Sequence, residues 1–206
     1  MMHFILSQSC PDAISQTISV LKNGGVIAAP TETVYGLMTL WNNAEGCEKI
    51  YKLKHRPANK RLQMLAASLD DLSDFQLCMP PRLAAIAEAF WPGPLTVILP
   101  TKTGDSIGLR IPSHPFLLRL LQELQAPLAA TSANLSGEPA GIDAKSAIAH
   151  LDGVPDLLID GGKTTVTSGQ ASTVVSLCGK SPVILREGPI TLQMILDCSS
   201  DCVENG

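Results

Sequence analysis

The sequence has little of what marks several large protein classes. Aromatic residues make up only 4% of its 206 residues, which disfavours a nucleic-acid surface that stacks bases on exposed rings. No apolar run approaches the ~20 residues that a helix needs to cross a bilayer. The first residues carry no positive charge and only a brief apolar run, which does not fit a secretory signal. We therefore expect a cytoplasmic protein without membrane association.

The cysteines and histidines follow no spacing that marks a metal site or a disulfide framework. The six cysteines are scattered, and no histidine follows the closest pair, Cys198 and Cys202. The four histidines also lack ligand spacing. We expect reduced cysteines and no protein-held metal. Walker A and GxGxxG sequences are absent too, which excludes the standard phosphate-binding loops.

The balance of residues fits one globular domain. Apolar residues make up 45% of the chain and charged residues 17%, so a sizeable core is expected and disorder is excluded. No linker composition divides the chain, and we expect a single domain over 1–206. The formal net charge is −4, whereas dedicated nucleic-acid binders are usually basic. Any contact with RNA is therefore expected to be local or transient.

Strand-like and helix-like patterns alternate along the chain, which indicates an α/β fold with a twisted mixed sheet flanked by helices. The predicted helices span 12–23, 44–53, 70–75, 81–90, 115–124, 143–151 and 191–196. The predicted strands span 26–29, 62–67, 95–99, 107–111, 128–130, 157–160, 172–176 and 183–185. Polar residues recur where strands end, at Thr31, Arg110, Ser132 and Arg186. Open α/β sheets bind ligands at strand ends, so these side chains are expected to converge.

Two short motifs point to a pocket for a polyanionic small molecule. Lys54-His55-Arg56 places two cations at a predicted helix end, and both side chains suit phosphate oxygens. Ser132-Ala133-Asn134 follows a buried strand, and its serine and asparagine can point the same way. Each motif alone also fits a structural role, as a solvated helix end or as a helix N-cap or Asx turn. Ser132 is not expected to be a nucleophile, because no GxSxG elbow or histidine partner accompanies it.

Two loops adjoin these motifs. Residues 30–36, Pro-Thr-Glu-Thr-Val-Tyr-Gly, follow the first predicted strand. They either hold a small polar substrate or form a turn with a capping threonine. Residues 163–168 lie between Gly161-Gly162 and Gly169 and form either a mobile lid or a surface loop.

These motifs stand in the order found in the YrdC-type threonylcarbamoyl-AMP synthases, which the chain resembles over about 9–196. The landmarks are Gly24-Gly25-Val26-Ile27, Pro30-Thr31-Glu32-Thr33-Val34-Tyr35-Gly36-Leu37, Lys54-His55-Arg56-Pro57, Trp91-Pro92-Gly93-Pro94-Leu95-Thr96, Arg110-Ile111-Pro112, Thr131-Ser132-Ala133-Asn134, Ser172-Thr173-Val174-Val175 and Arg186-Glu187-Gly188. The resemblance implies a concave, positively charged cavity on the mixed sheet, and the single-domain form of the family.

The resemblance also implies a reaction. L-threonine, bicarbonate and ATP would give threonylcarbamoyl-AMP and pyrophosphate, for the modification of tRNA with threonylcarbamoyladenosine. The enzyme would be a nucleotidyltransferase, with Mg²⁺ arriving alongside ATP. Its product would pass to downstream threonylcarbamoyl-transfer enzymes, and contact with tRNA or double-stranded RNA would be weak.

The family's motif residues fall on definite positions of this chain. The signature tetrad corresponds to Lys54, Arg56, Ser132 and Asn134, which the resemblance implies are catalytic. The implied ATP contacts are Lys54, Arg56, Lys60, Ser106, Asn134 and Arg186. The implied threonine contacts are Thr31, Arg110, Ser132 and Ser172, with Arg110 gripping the carboxylate as a fork. Replacing Lys54 or Arg56 with alanine is expected to abolish turnover and leave the fold intact.

Two positions depart from the family pattern, which commonly has Lys-Pro-Leu and a histidine three residues further on. This chain has Lys60-Arg61-Leu62 and Leu65 instead. Three other interpretations stay open. The first is a double-stranded RNA or ribosome-associated binding protein of the same fold. The second is a YciO-like relative without the activity, and the third is a carbamoyl-transfer domain like that of larger hydrogenase-maturation proteins.

Overall fold

The computed structural model describes residues 5–164 and 170–199. Its strands are β1 (Ile5–Ser7), β2 (Ile27–Ala29), β3 (Gly36–Leu40), β4 (Gln63–Leu65), β5 (Leu95–Pro100), β6 (Ser106–Arg110), β7 (Leu128–Ser132), β8 (Leu157–Asp160), β9 (Thr173–Ser176) and β10 (Val183–Arg186). Its helices are α1 (Ala13–Lys22), α2 (Ala44–Leu53), α3 (Arg82–Phe90), α4 (Pro115–Leu124), α5 (Ala144–Ile148) and α6 (Leu192–Ser199), with a 3-10 helix over Asp70–Phe75.

All the described strands belong to one mixed sheet, in the order β1-β8-β2-β3-β7-β4-β6-β5-β9-β10. Strands β1 and β2 run parallel to β8, β4 runs parallel to β6, and β5 runs parallel to β9. The remaining neighbours are antiparallel. The predicted α/β fold with a mixed sheet flanked by helices is therefore confirmed. None of the described helices is long and apolar enough to span a bilayer.

Helix α2 positions the first basic motif. Asn43 caps the helix, since its side chain accepts a hydrogen bond from the Gly46 amide at 3.1 Å. Ile50 and Leu53 face the core. The chain then leaves the helix, because His55 adopts a left-handed φ of 48° and Pro57 has no amide proton to donate. Lys54 and Arg56 are thereby held at the helix end, as the sequence predicts.

The two faces of the sheet are covered unequally. Alternate residues of β2, β7 and β8 pack against α1 and α4 on one face and against α2 and α5 on the other. The second face continues under α3 and α6. On the first face, a second group of strand residues lines a cleft instead of packing under a described helix: Gln63, Gly108, Thr96, Ile98 and Val174. This open part of the sheet is where the predicted site residues gather.

Several predicted boundaries differ from the structure. Strands β1 and β3 are not predicted, because β1 is a short edge strand and β3 gains its strand character from pairing with β2 and β7 on both sides. The predicted strand 62–67 is reduced to β4, and helix α5 ends at Ile148 rather than 151. Of the proposed lid or surface loop at 163–168, positions 165–168 lie outside the described residues, as does Gly169.

Candidate functional site

The open half of the sheet forms the floor of a cleft of about 490 Å³. Strand register places the floor residues on one face, running from Ala130 on β7 through Gln63, Gly108 and Ile98. Thr96 and Val174 continue this face toward β10. A floor made of alternate strand residues is rigid, since every strand beneath it is hydrogen-bonded on both sides.

Four arginines line the cleft: Arg56, Arg61, Arg110 and Arg186. The described lining residues include no aspartate or glutamate. Burial lowers the pKa of the Arg186 guanidinium, and the charges of Arg110 and Arg56 lower it further. Like charges gathered around one cleft favour an anionic ligand between them.

Arg110 is the most buried of these cations, with 3% of its residue surface exposed. Its Nη2 donates to Glu32 Oε1 at 2.6 Å and to Thr33 Oγ1 at 3.2 Å, and its Nε donates to Gly93 O at 3.1 Å. Burial of an arginine this deep requires such a carboxylate partner. These contacts fix the guanidinium plane and leave Nη1 without a hydrogen bond to any described residue, so one edge is free for a ligand.

Thr31 holds the loop that supplies Glu32. Its hydroxyl accepts hydrogen bonds from the amides of Thr33 and Val34 and donates to Val34 O at 2.7 Å. This is the capping role that the sequence leaves open. Thr31 also lines a small recess, next to the main cleft, whose wall includes Leu65 and Arg110. The loop therefore forms the turn with a capping threonine, and substrate binding by the loop stays a prediction.

Lys54 lies behind the cleft and is fully buried, with 1% of its surface exposed. Its Nζ donates to the main-chain oxygens of Ser132 and Asn134, each at 2.5 Å, and to Asn134 Oδ1 at 3.4 Å. Burial lowers the pKa of Lys54 to about 8, and the charge of Arg56 acts in the same direction. The lysine therefore secures the 132–134 segment from beneath.

Ser132 and Asn134 do not share a direction, contrary to the expectation from their spacing. Strand β7 ends at Ser132, so the alternation that would align the two side chains stops there. Ser132 lines the cleft. The Asn134 amide instead donates to the carbonyls of Leu135 and Glu138, each at 2.7 Å.

Arg186 closes the far end of the cleft. A bulge in β10 leaves Leu185 unpaired and sets Arg186 opposite Val174, so both Leu185 and Arg186 line the cleft. The guanidinium donates to Ser172 O at 2.9 and 3.0 Å and to Ser172 Oγ at 3.0 Å. The Ser172 hydroxyl also lies 2.9 Å from Thr96 Oγ1. A continuous row of polar groups thus crosses the floor.

Of the predicted site residues, Arg56, Ser106, Arg110, Ser132, Ser172 and Arg186 line the main cleft. Thr31 lines the adjoining recess, whereas Lys54, Lys60 and Asn134 line neither. Sequence reasoning did not assign Arg61, Gln63, Thr96 or Glu32 to the site. Arg61 stands at a position where the chain departs from the family pattern, and Glu32 and Thr96 lie within the quoted landmarks. Gln63 carries no signal before the strand register is known. No group of His, Cys, Asp or Glu within 5–164 and 170–199 could hold a metal ion.

Gly188 packs directly against the backbone that carries Ser172. A Cβ at Gly188 would lie 2.3 Å from Thr173 N and 2.7 Å from Ser172 C. We expect Gly188→Ala to lower the free energy of unfolding by about 2 kcal/mol. Through the displaced Ser172 and Arg186, we also expect it to weaken by about tenfold any binding of ATP, the nucleotide that the family resemblance implies. Chemical denaturation and titration calorimetry measure the two effects.

Gly179→Ala is the matched control, because its Cβ would approach only Ser181 O, at 3.9 Å. If Gly188→Ala behaves like this control in both measurements, the close packing of Gly188 does not shape the cleft.

The geometry defines an α/β protein with an arginine-lined cleft on an open sheet face. The chain belongs to the Sua5/YciO/YrdC family, whose model, described as telomere recombination, matches residues 19–188. It is 38% identical over 192 residues to the threonylcarbamoyl-AMP synthase of Bacillus subtilis, covering 88% of this chain and 55% of the relative.

Two solved structures share the fold closely. One is P. abyssi Sua5 complexed with L-threonine, at a TM-score of 0.86 and 31% identity, covering 96% of this chain and 61% of that one. The other is E. coli YciO, at a TM-score of 0.81 and 26% identity, covering 95% and 99% of the two chains. The chain spans between half and two thirds of the length of the synthase and of Sua5.

Proposed function

We propose that this chain is a threonylcarbamoyl-AMP synthase. The arginine-lined cleft on the open sheet carries the proposal, because it provides several fixed cations around one buried guanidinium with a free edge. In the proposed reaction the threonine amine condenses with bicarbonate, releasing water and forming a carbamate. A carbamate oxygen then attacks the α-phosphorus of ATP, and pyrophosphate leaves. Such a transfer depends on alignment and on neutralising phosphate charge rather than on a covalent nucleophile.

The threonine half of the site is proposed to centre on Arg110. Its free edge suits the threonine carboxylate, while Ser132 and Ser172 supply hydroxyls beside it. Thr31 contributes through the adjoining recess. The hydroxyl-rich surroundings can hydrogen-bond a small polar amino acid without adding charge.

The nucleotide half is proposed to use Arg56 and Arg186, with Ser106 at the rim. Lys54 and Asn134 act through the segment that they secure, and Lys60 reaches the nucleotide only from outside the cleft lining. Mg²⁺ would accompany ATP, because the described lining offers hydroxyls and amides but no carboxylate to hold the ion. The labile product would pass to transfer enzymes in the cytoplasm.

The decisive assay is pyrophosphate release by the purified chain. We expect release only when ATP, threonine and bicarbonate are all present. Arg56→Ala is expected to lower the rate by at least about 100-fold, since it removes a fixed charge from the phosphate site. Arg119→Ala is the control, because Arg119 pairs with Glu123 on α4, outside the cleft.

Absence of threonine-dependent pyrophosphate would reject the synthase and favour the YciO-like interpretation. A gel-shift titration with double-stranded RNA tests the RNA-binding alternative, since binding through phosphate contacts weakens steeply with salt.

A further inference from the structure

Arg61 occupies the rim of the cleft beside Ser106. Its Nη1 forms an ion pair with Asp105 Oδ1 and donates to Ser106 O at 3.3 Å. Its neighbour Lys60 does not line the cleft. The cation that the 57–61 loop directs into the site is therefore Arg61.

The backbone of Arg61 is anchored although its side chain is not. Arg56 Nη2 donates to Arg61 O at 2.8 Å, and Arg56 Nε donates to Lys60 O at 2.8 Å. The Arg61 side chain itself is 61% exposed and that of Asp105 is 50% exposed. Exposed ion pairs contribute little to stability, so this one can open at small cost.

Asp105 is held independently of Arg61. Its Oδ1 accepts a hydrogen bond from the Ser106 amide at 2.7 Å. The Arg61 hydrogen bond and, next, the Ser106 amide keep the pKa of this carboxyl below its ordinary value. The Ser106 amide contact does not involve Arg61, so it still holds Asp105 in place when Arg61 turns away.

We propose that Arg61 is a phosphate contact for the nucleotide, and that Asp105 holds it at the rim while the cleft is empty. The inference rests on the proposed function for the identity of the nucleotide. A guanidinium fork binds carboxylate and phosphate oxygens with the same geometry, so Arg61 exchanges one anion for the other. Asp105 thereby competes with the nucleotide for Arg61.

The competition predicts that substitutions of Arg61 and Asp105 change the affinity for ATP in opposite directions. We expect Arg61→Ala to weaken ATP binding by about tenfold, which is the loss of one charge-assisted contact. We expect Asp105→Asn to tighten ATP binding by about threefold, because Arg61 no longer has to leave an ion pair. Binding of adenosine, which has no phosphate, is expected to stay unchanged in both variants. Titration calorimetry with ATP and competition by adenosine measure these constants, and Arg119→Ala again serves as the matched control.

Equal weakening by Arg61→Ala and Asp105→Asn would overturn the proposal and assign the pair to loop structure. So would an Arg61→Ala affinity equal to that of Arg119→Ala, or a wild-type chain that does not bind ATP. An active synthase with an unchanged Arg61→Ala affinity rejects only the Arg61 contact. A wild-type chain without threonine-dependent pyrophosphate, whose variants still shift ATP affinity in opposite directions, rejects only the synthase.

Discussion

Lys54→Met is expected to abolish pyrophosphate release and to lower the free energy of unfolding by about 2 kcal/mol. The ammonium of Lys54 donates to two main-chain oxygens at 2.5 Å, and methionine leaves both without a donor in a buried setting. Methionine also removes the cost of burying the charged ammonium, which offsets part of this loss. Turnover fails because the segment that carries Ser132 is no longer secured. These contacts lead us to expect a loss of stability at this position, whereas the sequence alone predicts that Lys54→Ala leaves the fold intact.

The dependence on pH identifies the lysine as the cause. The pKa of Lys54 is lowered from 10.5 to about 8 in the folded state, so between these values the unfolded chain binds the proton more tightly. Stability contributed by Lys54 then rises with pH across this window. In denaturation experiments from pH 7 to 10.5, the free energy of unfolding of the wild type should rise relative to that of Lys54→Met. Lys52→Met is the control, because Lys52 lies on the same helix and pairs with Glu48 on the surface. Its free energy of unfolding should change with pH in parallel with that of the wild type. The same pH dependence in all three chains would contradict the role of Lys54.

Arg110→Met is expected to eliminate threonine binding and to lower the free energy of unfolding by about 3 kcal/mol. The substitution removes the proposed carboxylate contact. It also leaves Glu32, whose side chain is only 15% exposed, without its cation. Removing one partner of a buried pair is costly because the remaining charge stays desolvated.

The double variant Arg110→Met with Glu32→Gln separates the two effects. Neutralising Glu32 is expected to restore most of the lost stability, whereas threonine binding by calorimetry stays at least about 100-fold weaker than in the wild type. Threonine binding that recovers together with stability would show that Arg110 only supports the fold.

Elements whose sequence signals are local could be predicted from the sequence alone. Helix α2 occupies 44–53 as predicted, because Asn43 caps it and its apolar residues recur with helical spacing. Strand β3 could not be predicted in the same way. Its residues follow a turn-like run, and they become a strand through β2 and β7, which lie far apart in the sequence.

The site follows the same division. Polar residues at predicted strand ends do converge, as Arg110, Ser132 and Arg186 show. Lys54 and Asn134 lie outside the cleft lining. Their positions depend on where β7 ends, at Ser132, and the spacing of the motif does not determine that point. The pairing of Arg110 with Glu32 depends on how the 30–36 loop meets β6, a contact between distant segments.

The placement of β9 and β10 determines when the cleft is complete during folding. Strand β9 joins the sheet by parallel pairing with β5, and β10 is added outside it. Ser172 directly precedes β9, and Arg186 ends β10. The row of polar groups across the cleft is therefore complete only when both strands have paired. Ligand affinity then reports that this edge of the sheet has assembled.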